Sequence, residues 1–391
     1  MIFYLAAMIA KIYSWLDKRW QARENGQTIN EQEVQLVLCF AAKELLTSDL
    51  QDMLSKQFPS ANIAMVSTAG EIFGSEVLTG SAVVAALAFE HTEVEANVVN
   101  VREYDDSFEA GIALIKPLVA GKTPRHILVF SDGQLVNGSE LVKGLNSVGD
   151  GSFLITGGLA GDGENFGETL LGLNGKPVPG NIMAISFYSK KLKVRHGCKG
   201  GWEPFGMMKK VTSSHGNVVY EIDSKPALDV YRELLGKDAE GLPGTALLYP
   251  LCLYLSGSKL PVVRTTLSID EEKRSVTFAG DIPEGCFVRF MRATLDKITD
   301  AASVAAVDTH PFPNQHEFAL LISCVGRRMV LGSRASEELK AIDIIFDKQT
   351  PLAGFYSYGE ISPLVDDTTC QLHNQTMTIT AFSEDYEGQP R

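Results

Sequence analysis

Four short apolar runs constrain this chain more than any other feature: VQLVLCF (34–40), NIAMV (62–66), HILVF (126–130) and SFLIT (152–156). They are too short and too rich in β-branched residues for buried helices, so they read as buried strands. Between them, Ala41 to Leu54 and Ser107 to Val119 space their apolar residues as a helix does. After HILVF, Ser131-Asp132-Gly133 forms a turn, and Asn137 stands as a helix cap with Glu140 three residues on. The first half therefore has an α/β rhythm.

From Thr169 to Glu221 the pattern changes to strands separated by Gly, Pro and Asn turns, which predicts antiparallel meanders. In KLKVRHGCK (191–199), alternation places Leu192, Val194, His196 and Cys198 on one face and Lys191, Lys193, Arg195 and Gly197 on the other. The basic face is the wet one, so His196 points inward. A helix is expected from Ser224-Lys225-Pro226, with Asp223 or Ser224 as cap, Leu228, Tyr231 and Leu235 as its buried stripe and Gly236 as its stop. Further strands are expected near 262–268, 275–279, 286–290, 318–324 and 374–382, with a turn at 280–285 and a helix from Ser336 to Phe346. The fold class is α/β to α+β: a helical lead-in over 1–33, then two mixed-sheet domains at 34–223 and 224–382. No long polar linker separates them, so close packing is expected. No repeat of fixed short period is visible.

Length and charge agree with two domains of ordinary soluble type. The 391 residues are 45% hydrophobic and 21% charged, enough apolar surface for a sizeable core. A net charge of -13 repels nucleic acid and anionic membranes. Cys39, Cys198, Cys252, Cys286, Cys324 and Cys370 lie far apart with no C-x-x-C pair. That spacing argues against a zinc ribbon or a thioredoxin-type site, and a reducing cytoplasm is the expected location. The start, MIFYLAAMIA, is interrupted by Lys11. It is too short for a membrane span and lacks the basic n-region of a secretion signal, so Trp15 and Trp20 are expected to pack on the body.

Three polar or Gly-rich loops leave predicted strands directly: STAGE (67–71), SDG (131–133) and GGLAGDG (157–163). Each has a bland reading, Thr68-x-x-Glu71 as a capping box and the others as turns. The functional reading is a shared crevice at the carboxyl ends of strands, with Ser67, Thr68, Asp132, Gly158 and Gly161 as its ligand-binding candidates. GGLAGDG matches neither G-x-G-x-x-G nor a Walker sequence, and Asp162 would repel a phosphate. Among the seven histidines, His91, His126, His215, His310 and His316 sit beside charges, prolines or turns and read as exposed or local. His196 points inward, and His373 shares strand parity with Met377, Ile379 and Ala381 if one strand runs that far. Each is either a satisfied core histidine or a ligand to metal or haem iron. No G-x-S-x-G elbow or H-E-x-x-H occurs; the competing reading is a hydrolase or transferase using Cys324, which could meet a distant histidine only through the fold. No enzymatic activity is expected.

Successive segments resemble one known family. STAGEI (67–72), GGLAGDG (157–163), HGCKGGWEPFG (196–206) with VTSSHGNVVYEIDSKPALDVYRELLG (211–236), SCVGRRMVLGSR (323–334), GFYSYGEISP (354–363) and LHNQT (372–376) are similar, in order, to the signatures of FIST proteins. The likeness runs from about Val34 to Phe382. Met65-Val66 stands where the family often has a Gly-Cys pair, so no role of that cysteine transfers. The resemblance implies paired N- and C-terminal domains and a sensory, ligand-binding role in intracellular signalling. The implied partner is a histidine kinase or a diguanylate cyclase of cyclic-di-GMP signalling. A subgroup of similar size is known for haem-binding nitric oxide sensing, and amino acids are the family's more general proposed ligand. The expectation that follows is haem b bound by His196, with His373 in reserve, and a small gaseous ligand that weakens the bond to the opposite histidine.

Overall fold

The computed structural model describes residues 7–16, 19–23, 28–149, 151–255, 261–309, 318–363 and 369–385. Among these residues, three six-stranded sheets share one plan. Each is built on a parallel pair joined by a helical crossover: Leu36–Ala41 with Asn62–Ser67, His126–Ser131 with Leu154–Leu159, and Phe318–Cys324 with Leu352–Ser357. The first two pairs are the four apolar runs, and Phe318–Cys324 is the strand expected at 318–324, whereas Leu352–Ser357 is a strand that the sequence reading does not predict; all six are buried along almost their whole length. The crossover helices are Ser48–Gln57, Gly138–Gly149, and Val325–Leu331 with Ala335–Ile345. Thr47 caps the first through the Leu50 N–H at 3.3 Å, and Asn137 caps the second through the Ser139 and Glu140 N–H groups at 3.0 and 3.2 Å. In each sheet a later strand (Ala82–Phe89, Asn181–Tyr188 or Met377–Glu384) returns antiparallel beside the first of the pair.

The three sheets then exchange edges in a closed cycle. Leaving Asn62–Ser67, the chain adds Glu71–Phe73 to Leu352–Ser357 of the third sheet. Leaving Leu154–Leu159, it adds Leu171–Leu173 to Asn62–Ser67 of the first. Leaving Leu352–Ser357, it adds Gly359–Pro363 to Leu154–Leu159 of the second. At the centre Phe40, Phe130 and Phe355, one from each sheet, meet with ring centroids 5.8, 5.0 and 6.0 Å apart. All three are fully buried, and each ring contributes roughly 2–3 kcal/mol by leaving water.

A fourth, eight-stranded sheet lies between Glu203 and Arg292, with its own core around Tyr231, Phe278 and Phe290. It is inserted between two elements of the third sheet's layer, the strand Leu192–Lys199 and the helix Leu295–Thr309 that covers it. The expected boundary at 223/224 therefore falls inside a hairpin of this insert, where Ile222 pairs with Lys225. Asp223 and Ser224 form its turn at φ 51 and 60, and the helix begins at Ala227 without a side-chain cap. The expected cap is corrected accordingly; the buried stripe Leu228, Tyr231, Leu235 and the stop at Gly236 (φ 56) are as read. The two sequence domains are interleaved, since the second and third sheets draw strands from both.

The helical lead-in is also corrected. Met8–Leu16 and Arg19–Ala22 are strands, the first paired antiparallel with Ala82–Phe89. Met8, Ala10, Ile12 and Ser14 are buried alternately, a period of two that a short apolar stretch conceals. Trp15 and Trp20 do pack on the body, with rings 5.3 Å apart. No described helix is long and apolar enough to cross a membrane.

Candidate functional site

The carboxyl ends of the parallel pairs converge on the axis between the sheets. There the backbones bond in a ring: Gly161 N–H to Ser67 O at 2.9 Å, Ala69 N–H to Tyr356 O at 2.8 Å, and Tyr358 N–H to Leu159 O at 3.2 Å. Ser67, Thr68 and Gly161 are thus brought together, and Gly163 N–H bonds Thr68 O at 3.1 Å. A Cβ on Gly161 would lie 2.7 Å from the Ala69 nitrogen, so glycine there serves the close approach of two chains. Gly158 does the same between sheets, where a Cβ would sit 2.8 Å from Ile322. Asp132 turns to its own loop, accepting from Gln134 and Leu135 N–H at 2.7 Å each and from Gly180 N–H at 2.8 Å.

Thr68 and Glu71 do bond each other, but a strand follows instead of the helix a capping box implies. Glu71 is buried, accepts also from Ser81 Oγ at 2.6 Å, and has its pKa raised chiefly by burial. Lys43 spans to Asp162 at 3.0 Å. These loops spend their polar groups on one another and close the axis.

The second candidate lies where the second and third sheets face each other. His196 stands opposite Thr380 on an edge strand. Leu192 and Cys198 are buried beside it, Arg195 is exposed, and Gly197 on the opposite face meets the helix Leu295–Thr309, where a Cβ would be 2.1 Å from Ala305 O. The inward reading of His196 therefore holds. Its Nε2 is buried and has no hydrogen-bond partner among the described residues. Burial lowers its pKa, partly offset by Asp308, so the imidazole is neutral at pH 7 and able to donate a lone pair.

His126, read from its charged neighbour as exposed or local, is fully buried in the same region. It opens the run HILVF and so inherits that strand's burial, the signal that its charged neighbour Arg125 obscured. Its Nε2 meets Thr156 Oγ1 at 2.9 Å, Thr380 Oγ1 donates to the same hydroxyl at 2.9 Å, and its Nδ1 has no partner among the described residues. Burial, then His196, pushes its pKa down to about 3.

His373 differs from expectation. The strand is interrupted by a turn at 374–376, so His373 ends Cys370–His373 in the second sheet while Met377, Ile379 and Ala381 belong to the third. Its Nε2 is engaged with the Ser362 carbonyl at 2.9 Å, and burial pushes its pKa down to about 4. His310 and His316 lie outside the described residues.

Next to His373, Glu360 is fully buried. It accepts from Ser357 Oγ at 2.5 Å, Thr376 Oγ1 at 2.8 Å and Thr376 N–H at 3.2 Å, yet burial pushes its pKa up to about 8. Cys198 is pushed up to about 12, mainly by burial, and Cys324 is raised by burial and then by Glu360. Both thiols stay protonated at pH 7, which withholds the nucleophilic form from Cys324.

Family models match along the chain in the order of the sequence signatures: the FIST N domain over residues 35–225 and the FIST C domain over 227–363. The chain is a FIST protein. FIST domains point to a sensory, ligand-binding role in signalling. An uncharacterized protein of Mycobacterium bovis is 24% identical over 243 residues, 60% of this chain and 61% of the relative. One of Methanocaldococcus jannaschii is 24% identical over 318 residues, 73% of this chain and 59% of the relative. This FIST chain thus spans about three-fifths of the length of these relatives. A solved structure of cyanuric acid hydrolase superposes with a TM-score of 0.38 at 7% identity, covering 97% of this chain and all of that one; no argument rests on it.

Proposed function

We propose that this FIST protein is a haem-based sensor of nitric oxide that signals through a histidine kinase or a cyclic-di-GMP enzyme. The observation that supports it is the His196 Nε2 on an edge strand: buried, neutral and without a hydrogen-bond partner among the described residues. A core histidine kept for structure normally satisfies both ring nitrogens, and an unpaired imidazole nitrogen is the donor that haem iron takes. His373 does not fit that role, because its Nε2 is held by the Ser362 carbonyl. Haem b, when bound, supplies an iron that takes small gaseous ligands.

The strand that carries His196 gives the reading its output. Lys199 ends the strand, Gly200 and Gly201 follow, and Trp202 leads into the first strand of the insert. A displacement of His196 along its edge strand reaches the insert within a few residues, without crossing the core.

The test is reconstitution with haem followed by absorption spectroscopy of wild type, His196→Ala and His373→Ala. The expected result is a Soret band that shifts or disappears in His196→Ala and persists in His373→Ala. A wild type that stays colourless refutes haem binding; a spectrum indifferent to His196→Ala refutes the ligand assignment.

A further inference from the structure

We propose that Glu360 is a proton-operated latch: neutral, it leaves the Ser357 hydroxyl to tie the parallel pair of the third sheet together; ionised, it takes that hydroxyl for itself and loosens the turn at 374–376. The proposal goes beyond the sensor reading and is independent of haem. Glu360 sits where the third sheet lends an edge to the second. Its strand runs between Leu154–Leu159 and Cys370–His373, so Glu360 stands opposite Gly158 on one side and His373 on the other. It follows Ser357 by three residues, as Glu71 follows Thr68 where the first sheet lends its edge to the third. Both glutamates are buried, and each takes a hydroxyl and an N–H from one distant residue, Ser81 for Glu71 and Thr376 for Glu360.

The latch follows from counting protons. Ser357 Oγ lies 2.5 Å from Glu360 Oε1 and 3.3 Å from the Ser323 carbonyl of the paired strand. A hydroxyl has one proton to donate and two lone pairs with which to accept. With Glu360 as a carboxylic acid, its own O–H donates to Ser357 Oγ, and the Ser357 proton goes to Ser323. Oε2 still accepts from Thr376 Oγ1 at 2.8 Å and Thr376 N–H at 3.2 Å. With Glu360 as a carboxylate, Ser357 must turn its proton to Oε1, and the bond to Ser323 is lost.

The surroundings favour the acid. Among the described residues Glu360 has no ion pair. Arg327, the cation facing it from Val325–Leu331, is committed to Glu338 of Ala335–Ile345 at 2.8 Å. His373, Cys324 on Phe318–Cys324 and Cys198 on Leu192–Lys199, with His196 two residues before it, are all neutral at pH 7. Leu154–Leu159 carries no titratable side chain, and Glu384 of Met377–Glu384 lies at the far end of its strand, bonded to Glu90 and His91 N–H. Burial therefore dominates and pushes the Glu360 carboxyl up to about 8. The tie leads on toward the insert: Ser323 Oγ donates to Glu338 Oε1 at 3.2 Å, and Arg327 donates to the Gln375 and Gly200 carbonyls.

The test pairs infrared spectroscopy with hydrogen exchange on the haem-free full chain. Wild type minus Glu360→Gln at pH 6 should show the carbonyl band of a protonated carboxylic acid, and the band should be gone at pH 9.5. Exchange of 357–360 and 374–376, with labelling times scaled for the base-catalysed rate, should be about tenfold faster at pH 9.5 than at pH 6 in wild type. Glu360→Gln keeps a donor for Ser357 and cannot ionise, so its exchange should not change. Ser357→Ala removes a donor to the carboxylate and should raise the midpoint of the band by about one pH unit. No band at pH 6, exchange in wild type that ignores pH, equal pH dependence in folded Glu360→Gln, or a midpoint unmoved or lowered in folded Ser357→Ala would each overturn the proposal. The wild-type exchange comparison stands even if a variant fails to fold. Failure of the haem reading appears separately, as a colourless reconstituted protein.

Discussion

Glu338→Gln should destabilise the protein far more than its exposure suggests. Arg327 and Glu338 are completely buried. The guanidinium donates to Glu338 Oε2 at 2.8 and 3.2 Å, to Ile298 O at 2.8 Å, to Gln375 O at 3.4 Å and to Gly200 O. Glu338 Oε1 accepts from Ser323 Oγ at 3.2 Å and Tyr356 OH at 3.0 Å. One side chain thus ties the third crossover to the 200–201 linker, the turn at 374–376 and the helix Leu295–Thr309. Removing the carboxylate alone leaves a buried guanidinium without its counter-charge, which costs about 3–5 kcal/mol. Replacing both partners, Arg327→Met with Glu338→Gln, removes the charges together and leaves lost hydrogen bonds of about 1 kcal/mol each. The double variant should be less destabilised than the sum of the singles by about 2 kcal/mol or more. Urea unfolding followed by circular dichroism, with slopes compared among the four proteins, measures this. Additive midpoints would show that the pair is not coupled and refute the reasoning.

The pH dependence of stability separates two kinds of buried group. Glu360 is pushed up to about 8 from 4.5, so the folded state holds its proton more tightly; that contribution is complete below pH 4.5 and is lost as pH rises to about 8. Glu360→Gln should flatten the urea midpoint across that window. His126 and His373, lowered from 6.5 to about 3 and about 4, work in the opposite sense: their contribution is present above pH 6.5 and is lost as pH falls toward those values. His373→Gln should therefore blunt acid destabilisation, read as the midpoint at pH 5 relative to pH 7. Gly354→Ala, whose Cβ would stand 1.7 Å from the Leu321 carbonyl of the paired strand, should yield little folded protein by circular dichroism. Gly80→Ala, at φ 66 with nothing within 4 Å, should fold at a cost of about 1 kcal/mol. Phe130→Ala should cost about 3–5 kcal/mol by emptying the point where the three sheets meet.

The buried strands were readable because period and branching speak locally. His126–Ser131 and Phe318–Cys324 lie within a residue of their apolar runs, and Ser107–Val119 is a helix over the expected span. The threefold exchange of edges was not readable, because Glu71–Phe73 and Gly359–Pro363 are short and choose partners far away in sequence. His196 was legible from alternation across a strand with one basic face. His126 shows the reverse error, in which a charged neighbour in sequence was allowed to outweigh the strand that buries it.

Binding of a gaseous ligand at His196, as proposed, should be felt by the insert. Hydrogen exchange followed by mass spectrometry on the haem-loaded chain, with and without nitric oxide, tests it most directly. The predicted result is altered exchange in Leu192–Lys199, in 200–202 and in the strands between Glu203 and Arg292, with Leu36–Ala41 unchanged. Identical exchange along 192–292 in the two states would contradict it.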